Sequence, residues 1–253
     1  MNKEELKEFL LEKSHFYNQL DFIEEDPIGV VHQFSLKQDI EISGFLISSI
    51  AWGKRAQIIK SAHRMMEIMD NSPYDFVLNH NASDLKRTKG FVHRTFCGED
   101  LEFFFKSLQN IYQNHEGLEN LFQIREEENN PFFALQRFRE IFFSLSSQER
   151  TQKHIANTQK GSAAKRLNMY LRWMVRNSGP VDFGLWKKIP TSKLSCPLDT
   201  HVGNIGRKLN LISRKQNDWK TVEELDFALR EMHPEDPVLF DYAFMGLGIY
   251  EKF

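Results

Sequence analysis

The hydrophobic positions along this chain recur mostly at helical spacing. Apolar residues three and four positions apart line one side of two predicted helices. The members of these two faces are Ile58, Ala62, Met65, Met66 and Met69 in the first helix, and Leu101, Phe104, Phe105, Leu108, Ile111 and Tyr112 in the second. Because strand-like alternation is scarce, the pattern predicts an all-α fold of about a dozen helices.

One predicted helix lacks a polar face. The stretch Asp39–Trp52 is apolar nearly all round after its two acids, Asp39 and Glu41, apart from Ser43, Ser48 and Ser49. A helix without a polar side is typically buried between other helices. We therefore expect a buried helix here that ends at Gly53.

The composition is that of a globular protein. The chain has 253 residues, of which 41% are hydrophobic and 22 are phenylalanines, enough for one large domain or two small lobes with a sizeable core. The two cysteines, Cys97 and Cys196, are too few for a disulfide framework, an iron–sulfur cluster or a Cys-only zinc site, and His201 lacks zinc-ligand neighbours. No run of about 18 apolar residues and no signal-peptide pattern is present. We expect a cytoplasmic protein without metal, cofactor or membrane association.

Charge divides the chain strongly. Residues 151–217 contain 13 lysines and arginines but only two acids, Asp182 and Asp199, which gives this basic segment a charge of about +11. The whole chain has 33 bases and 35 acids. The residues outside this segment therefore hold 20 bases and 33 acids, which gives them a charge of about −13. A basic segment of this kind predicts a polyanionic partner such as nucleic acid.

Two candidate site residues lie in this basic segment. A turn at Gly161, with Ser162 as a helix N-cap, predicts a helix that carries Lys165 in its first turn. Thirty-four residues after Lys165, Asp199 occupies the N-cap position of a second predicted helix, Thr200–Leu209. An aspartate at an N-cap is expected to stay ionised, since backbone amides and the helix dipole favour its charged form.

The first of these two helices is expected to present a basic face. Arg172 and Arg176 fall on the same side as Lys165, away from the apolar positions, and the helix is expected to run to about Arg176. Free backbone amides at its start can bind phosphate. The expected nucleic-acid contacts around the turn are Lys160, Gly161, Ser162, Arg166 and Arg172.

A lysine attacks a sugar or carbonyl carbon only as the free amine. The ordinary lysine pKa of about 10.4 must fall by roughly three units for this at neutral pH, which takes about 4 kcal/mol. Because a helix N-terminus supplies only roughly 0.3–1 kcal/mol, the cations of Lys160 and Arg166, partial burial and closure over substrate would have to supply the rest. An opposing carboxylate accepts the proton or stabilises a developing cation, and Asp199 is the candidate.

At these residues the chain resembles the helix-hairpin-helix superfamily of DNA base-excision glycosylases. The resemblance rests on Lys165 at the start of the second hairpin helix and on the sequence Pro197-Leu198-Asp199-Thr200-His201-Val202. It implies that Lys165 attacks the sugar C1′, as in bifunctional members, and that Asp199 assists. The spacing of 34 residues is most similar to the archaeal 8-oxoguanine glycosylase branch, which implies an oxidised purine as substrate. A longer similarity, through Lys165–Arg176 and Phe244–Gly248, is to an uncharacterised bacterial family of unknown function.

Two features depart from the glycosylase pattern. Of the hydrophobic-Gly-hydrophobic-Gly hairpin motif only Gly161 is kept, and the carboxy-terminal cysteine quartet of one branch is absent. The resemblance also implies that the segment with Trp52, Lys54 and Arg55 faces DNA, where family members insert a wedge into the base stack.

Each candidate residue also has a purely structural interpretation. A lysine in the first turn of a helix is usually a solvated surface residue, and an aspartate before a helix is usually only a cap. Trp52, Trp173 and Trp186 could stack on a base, yet tryptophans of helical proteins usually lie in the core. The co-occurrence of Lys165 and Asp199 inside the basic segment is what favours a catalytic pair.

The sequence thus predicts an all-α, two-lobed fold of the helix-hairpin-helix glycosylase type, with the substrate cleft between the lobes. Residues 41–179 would form a middle lobe with the hairpin, and residues 1–40 and 180–253 a combined terminal lobe. A damaged base of double-stranded DNA would be flipped into the cleft and excised by Lys165 with help from Asp199, and the Schiff base would permit strand cleavage. The expected activity is that of a bifunctional DNA N-glycosylase and AP lyase in base-excision repair, acting at the nucleoid. The alternatives are a non-catalytic nucleic-acid-binding protein of the same fold and a protein-interaction scaffold.

Overall fold

A computed structural model describes residues 2–251 and 253 of the chain. Helices account for 63% of it and strands for 2%, so the predicted all-α class is confirmed. Within the described residues, no helix combines the length and the apolar character that crossing a bilayer requires.

The described residues form fourteen α-helices and one antiparallel hairpin of two short strands. The α-helices are α1 (Lys3–Tyr17), α2 (Leu20–Glu25), α3 (Ile28–Val31), α4 (Lys37–Ser49), α5 (Arg55–Ile68), α6 (Pro73–Asn79), α7 (Ala82–Leu85), α8 (Gly98–Asn114), α9 (Leu118–Leu121), α10 (Phe132–Phe142), α11 (Lys165–Val175), α12 (Thr200–Lys208), α13 (Trp219–Met232) and α14 (Asp241–Ile249). The strands β1 (Val92–His93) and β2 (Phe96–Cys97) pair in the register Val92 with Cys97 and His93 with Phe96. Short 3₁₀ segments, among them Thr158–Lys160 and Pro237–Phe240, connect several helices.

The apolar faces predicted for α5 and α8 are the faces that the fold buries. In α8 every member of the predicted face is buried except Tyr112, which is half-buried. The Tyr112 hydroxyl donates a hydrogen bond to Glu41 Oε2 at 2.7 Å, so its polar end has a partner. The buried residues of the predicted α5 face are Ile58, Ala62, Met65, Met66 and, just after the helix, Met69.

The buried helix expected near residue 40 is α4. All residues from Ile40 to Ser49 are buried. Two of its serines satisfy their hydroxyls within the helix, since Ser43 donates to Ile40 O at 3.3 Å and Ser48 to Phe45 O at 3.0 Å. The helix ends at Ser49 and not at Gly53 as expected, because the chain turns before Gly53, whose φ is +112°.

The described chain divides into two compact units. Unit 1 contains the residues up to Phe22, Ile124–Leu135 and the residues from Ala156 onward, and unit 2 contains Ile23–Gln123 and Gln136–Ile155. Both α11 and α12 belong to unit 1. The two-lobe division expected from the sequence, at residues 41 and 179, stays a prediction.

The core of unit 2 is a cluster of phenylalanines. Phe45 of α4 lies with its ring centroid 5.8 Å from that of Phe104, 5.4 Å from that of Phe138 and 5.5 Å from that of Phe142. Most of these contacts are edge-to-face, the arrangement that aromatic quadrupoles favour. The rings therefore join α4, α8 and α10 in one packed layer.

Unit 1 is organised around its last helix. α14 packs against both α1 and α12. At the α1 contact, a Cβ placed on Gly246 would lie 2.0 Å from Tyr17 Cδ2, so only glycine permits this approach. The helices α1 and α14 are thereby joined within unit 1.

Candidate functional site

The structure brings Lys165 and Asp199 together. α11 begins at Lys165, and Asp199 directly precedes α12. Lys165 Nζ lies 3.8 Å from Asp199 Oδ2, and the two side chains are 33% and 35% exposed. The two candidate residues therefore form an ion pair that is open to solvent on one side.

Asp199 is held in place by the start of α12. It is the N-cap of that helix, as the sequence predicts, and its Oδ1 accepts a hydrogen bond from Val202 N at 3.0 Å. Its carbonyl oxygen accepts a further hydrogen bond from Asn217 Nδ2 at 3.1 Å. With Oδ1 bound to the helix, Oδ2 is the oxygen that faces Lys165.

The turn before Lys165 is tight and partly left-handed. Gly161 has φ +83°, and a Cβ placed on it would meet no neighbouring group within 4 Å, so glycine is required there by the backbone and not by space. Asn157 Oδ1 accepts a hydrogen bond from Lys160 N at 3.2 Å. The carbonyl oxygen of Gly161 accepts a hydrogen bond from Trp219 N at 3.0 Å, which ties the turn to α13.

The expectation that Ser162 is the N-cap of this helix is wrong. The N-cap is Ala164, whose φ is +49° and which makes no side-chain capping bond. Ser162 Oγ instead accepts a hydrogen bond from Ala164 N at 3.3 Å, and Ser162 forms an isolated antiparallel bridge with Asp218. The bridge to Asp218 fixes the position of Ser162. Its hydroxyl therefore accepts a bond from Ala164, the left-handed residue, and does not cap the first turn of α11.

The expectation of a basic face with Arg172 and Arg176 is also wrong. Both residues are buried, at 3% and 2% exposure. Arg172 donates through Nε to Asp182 Oδ1 at 3.2 Å and through Nη1 to Asp241 Oδ2. Arg176 donates to Asp182 Oδ2 and to Asp236 Oδ2, both at 2.8 Å. These two guanidinium groups are internal ties of unit 1, so Arg172 offers no exposed charge to a nucleic acid.

Asp241 is a second acid near Lys165 and Asp199, and the sequence alone did not single it out. The pKa of Asp241 is raised above its ordinary value, chiefly by burial and also by the charge of Asp199. The charges of Arg172 and Lys165 oppose this and lower it in part. The charges of both members of the pair therefore act on this carboxylate. The signal in the sequence was a single acid inside an apolar run, Leu239-Phe240-Asp241-Tyr242-Ala243, because an acid in such a run is normally buried with a partner.

The other predicted contacts of unit 1 lie at or near the surface. Lys160 is exposed, and Gly161 and Ser162 are half-buried. Arg166 is also half-buried, and burial lowers its pKa to about 10, so that it remains charged at neutral pH. Arg166 is therefore a cation one residue after Lys165 in the chain.

In unit 2, Trp52 is held between two histidines. Its ring is edge-to-face with His93, with centroids 5.3 Å apart, and nearly parallel to His154 at 6.0 Å. His93 Nε2 lies 3.2 Å from the Trp52 carbonyl oxygen, and burial lowers the pKa of His93. Trp52 is half-exposed, whereas Trp173 and Trp186 are buried, which confirms the core interpretation for the latter two.

The two basic residues after Trp52 differ in their surroundings. Lys54 is exposed and is the N-cap residue of α5. Arg55 Nη2 lies 3.8 Å from Asp26 Oδ2, so part of its charge is balanced within unit 2. Lys54 is therefore the more accessible of the two cations.

A family described as a protein of unknown function (DUF2400) matches residues 26–250 of the chain. No curated protein and no solved structure matches it. Among the residues that the structure describes, no group of three or more histidines, cysteines and acids could hold a metal ion.

Proposed function

The chain belongs to the DUF2400 family of unknown function, and from the geometry of its own residues we propose that it is a DNA base-excision enzyme. In this proposal it removes a damaged base, by resemblance an oxidised purine, from double-stranded DNA and then cleaves the strand as an AP lyase. Lys165 is the nucleophile and Asp199 is its partner.

The observation that carries the proposal is the separation of 3.8 Å between Lys165 Nζ and Asp199 Oδ2 in a half-exposed position. A surface lysine in the first turn of a helix needs no carboxylate, and a capping aspartate needs no lysine. The fold brings them together across 34 residues, each with one side open to solvent. A nucleophile next to a proton acceptor is the arrangement that covalent catalysis by an amine requires.

The reaction follows from these two groups. The Lys165 ammonium gives up a proton, with Asp199 as the acceptor, and the free amine attacks C1′ of the everted nucleotide. The C1′–N bond breaks and the base leaves with the electron pair. The nitrogen then loses a proton to solvent, and the C1′–O4′ bond breaks as O4′ takes up a proton, which gives a protonated Schiff base. Loss of a C2′ proton from this Schiff base breaks the C3′–O3′ bond, and the 3′ phosphate leaves with the electron pair. Asp199 passes the proton that it accepted to the departing base, and the carboxylate that is regenerated stabilises the positive charge of the sugar intermediate.

The surface of unit 1 supports a DNA partner. Outside the buried arginines, the basic segment exposes several lysines that can neutralise phosphates. The exposed lysines of unit 1 in this segment are Lys160, Lys187, Lys188, Lys208 and Lys215. In unit 2, Trp52 and Lys54 offer a half-exposed ring and an exposed cation.

Reductive trapping tests the proposal whichever base lesion the enzyme excises. A duplex with a single abasic site is incubated with the protein and cyanoborohydride, and the covalent complex is quantified under single-turnover conditions. We expect the wild type to form the complex and Lys165→Ala to lower the rate at least about 100-fold, because an activated nucleophile is lost. Lys188→Ala removes an equal charge from an exposed position of the basic segment and is the matched control. Trapping by Lys165→Ala at the rate of Lys188→Ala would refute the assignment of the nucleophile.

A panel of duplexes, each with one modified base, then separates excision from lyase activity. We expect Asp199→Asn to lose base excision by about 10²- to 10⁴-fold, the usual contribution of a positioned acid or base. Excision that is unchanged in Asp199→Asn would exclude the proposed role of the carboxylate. Salt-dependent binding of duplex DNA without any trapping would instead identify a non-catalytic binding protein.

A further inference from the structure

Unit 2 carries a concentration of positive charge of its own. Residues 52–64 and 86–97 contain eight lysines and arginines and no acid, although the chain outside the basic segment is acidic overall. Both stretches belong to unit 2, where α5 packs against β1. We call these two stretches together the hairpin surface, since the second one contains the β1–β2 hairpin. The eight cations are Lys54, Arg55, Lys60, Arg64, Lys86, Arg87, Lys89 and Arg94.

Three side-chain contacts join the two stretches of the hairpin surface. Arg64 Nη2 donates a hydrogen bond to the Gly90 carbonyl oxygen at 2.9 Å. The buried His93 lies between the stretches, with Nδ1 2.9 Å from Ser61 Oγ and Nε2 3.2 Å from the Trp52 carbonyl oxygen. The two stretches are therefore held in one arrangement, and their cations belong to one surface.

Most of the charge on the hairpin surface is not balanced by acids. Arg87 is paired with Asp70 at 2.6 Å, and Arg55 Nη2 lies 3.8 Å from Asp26 Oδ2. The other six cations are exposed, and none of them forms an ion pair with a residue that the structure describes. These six are Lys54, Lys60, Arg64, Lys86, Lys89 and Arg94.

Arg94 occupies the turn of the hairpin in a strained conformation. With Thr95 it forms the two-residue connection between β1 and β2, and its φ is +55°, a value that glycine and asparagine adopt more readily. Its side chain lies along Gly53, where an added Cβ would be 3.0 Å from Arg94 Nη1. The strained turn thus places an exposed guanidinium beside the residue that separates Trp52 from Lys54. Backbone strain of this kind is typical of binding sites.

The chemistry of the hairpin surface fits a nucleic acid better than a lipid surface. Fixed cations can neutralise successive phosphates, and the half-exposed Trp52 ring beside them can meet a base. A lipid surface is normally bound through apolar side chains that enter it. Within residues 52–64 and 86–97, all of which the structure describes, Val92 is the only exposed large apolar side chain.

We propose that the hairpin surface binds the phosphate backbone of double-stranded DNA, with Arg94 among its contacts. The choice of DNA among polyanions rests on the proposed function. The surface lies on the unit that contains neither Lys165 nor Asp199, so it contributes to binding and not to the chemical step.

The test is the affinity of the full-length protein for a labelled DNA duplex, measured by fluorescence anisotropy over a series of salt concentrations. We expect Arg94→Asn to weaken binding about 3- to 10-fold and to lower the slope of log affinity against log salt by about one, the value for one lost phosphate contact. Lys3→Gln removes an equal charge from an exposed position of α1 and is expected to leave both quantities at the wild-type value. Equal affinities for Arg94→Asn and Lys3→Gln, or no salt-dependent binding by the wild type, would overturn the proposal.

The choice of asparagine separates lost binding from lost folding. Asparagine tolerates a positive φ better than arginine, so we expect Arg94→Asn to unfold at the wild-type temperature or above it while it binds DNA more weakly. If this variant does not fold, Lys60→Gln/Lys89→Gln removes two exposed cations and leaves the turn intact. We expect the double variant to lower the salt slope by about two. A wild-type slope in the double variant would contradict the proposal.

Trapping on the abasic duplex separates this inference from the proposed function. At saturating protein we expect Arg94→Asn to trap at the wild-type maximal rate, and to need about 3- to 10-fold more protein for half-maximal trapping. If the wild type traps no duplex while Arg94→Asn still binds DNA more weakly, the proposed function fails and the hairpin surface stands. If the wild type traps and Arg94→Asn has the same half-maximal concentration, the function stands and the inference fails.

Vesicles of phosphatidylserine and phosphatidylcholine test the alternative of an anionic membrane. We expect the wild type not to sediment with them at the salt concentration at which it binds DNA. Sedimentation that Arg94→Asn abolishes, with DNA affinity unchanged in the same variant, would assign the surface to a membrane and overturn the proposal.

Discussion

Arg176 Nε donates to both carboxylate oxygens of Asp236, at 2.8 and 3.1 Å, although the two residues are 60 positions apart in the chain. Both are buried, and Nη1 of the same guanidinium reaches Asp182. Together with Arg172 and Asp241 they form a buried network of two cations and three acids at the end of α11. The network joins the helix of the candidate nucleophile to the last helix of unit 1.

Removal of one cation from this network is expected to be costly. Arg176→Met leaves Asp182 and Asp236 buried without their shared partner, and we expect a loss of about 3–5 kcal/mol in the free energy of unfolding. Urea denaturation followed by far-UV circular dichroism measures it. Lys187→Met, at an exposed position, is the control and is expected to change stability by less than about 0.5 kcal/mol. Equal midpoints for the two variants would show that the buried charges are not stabilised by this arginine.

The approach of Tyr17 to Gly246 predicts a steric effect. A Cβ on Gly246 would lie 2.0 and 2.1 Å from Tyr17 Cδ2 and Cε2, so Gly246→Ala is expected to destabilise unit 1 by about 1–3 kcal/mol through overpacking. Gly248→Ala is the matched control, because its Cβ would lie 3.3 Å from His201 Cβ, and a smaller loss is expected.

A double-mutant cycle identifies the cause of the Gly246 effect. In the Gly246→Ala background, Tyr17→Ala is expected to cost less stability than in the wild type, since it removes the clashing ring. Additive losses would mean that the destabilisation of Gly246→Ala arises elsewhere.

Replacement of the buried Asp226 by asparagine is expected to stabilise the protein in a pH-dependent way. Burial raises the pKa of Asp226 from 3.8 to about 6, so its contribution to stability is present below about pH 3.8 and is lost as the pH rises through about 6. A raise of this size corresponds to about 3 kcal/mol at pH 7.5. Asp226→Asn keeps an acceptor for Cys196 N–H, and we expect it to stabilise the protein by about 1–3 kcal/mol at pH 7.5 and less at pH 4.5.

Glu224 is the control with the opposite sign. Burial raises its pKa, but hydrogen bonds from Ser213 and Arg214 outweigh burial and lower it below the ordinary value. Glu224 therefore contributes stability above the unfolded pKa of about 4.3 and loses it as the pH falls further. We expect Glu224→Gln to destabilise at pH 7.5 and to approach the wild type in acid. Thermal unfolding of both variants at pH 7.5 and 4.5 checks that Asp226→Asn stabilises and Glu224→Gln destabilises at the higher pH. Parallel curves of stability against pH for Asp226→Asn and wild type would contradict the prediction for Asp226.

Tryptophan fluorescence tests whether Trp52 meets DNA. The chain has four tryptophans, and Trp52 is half-exposed whereas Trp173, Trp186 and Trp219 are buried. If the segment stacks on bases, duplex DNA is expected to quench the wild-type emission, and Trp52→Phe is expected to remove most of that quenching. Quenching that persists in full in Trp52→Phe would place the DNA contact elsewhere.

Local features of the fold could be predicted from the sequence because they depend on neighbours in the chain. Helical spacing identified the buried faces of α5 and α8, and the residues around Asp199 identified an N-cap whose bond to Val202 the structure contains. Both signals act over one or two helical turns, where the order of residues fixes which side chains and amides meet.

The tertiary structure decided what depends on distant partners. Arg172 and Arg176 have the spacing of an exposed basic face, and they are buried because Asp182, Asp236 and Asp241 are brought to them from elsewhere in unit 1. The capping role expected of Ser162 was likewise replaced when its backbone paired with Asp218.

The sequence by itself therefore determined the helical class, the apolar faces and the cap that holds Asp199. Only the tertiary structure set the distance of 3.8 Å between Lys165 and Asp199 and brought Asp241 to Arg172. The physical reason is that burial and charge pairing are properties of the space around a side chain, and in unit 1 that space is filled by residues far apart in the chain.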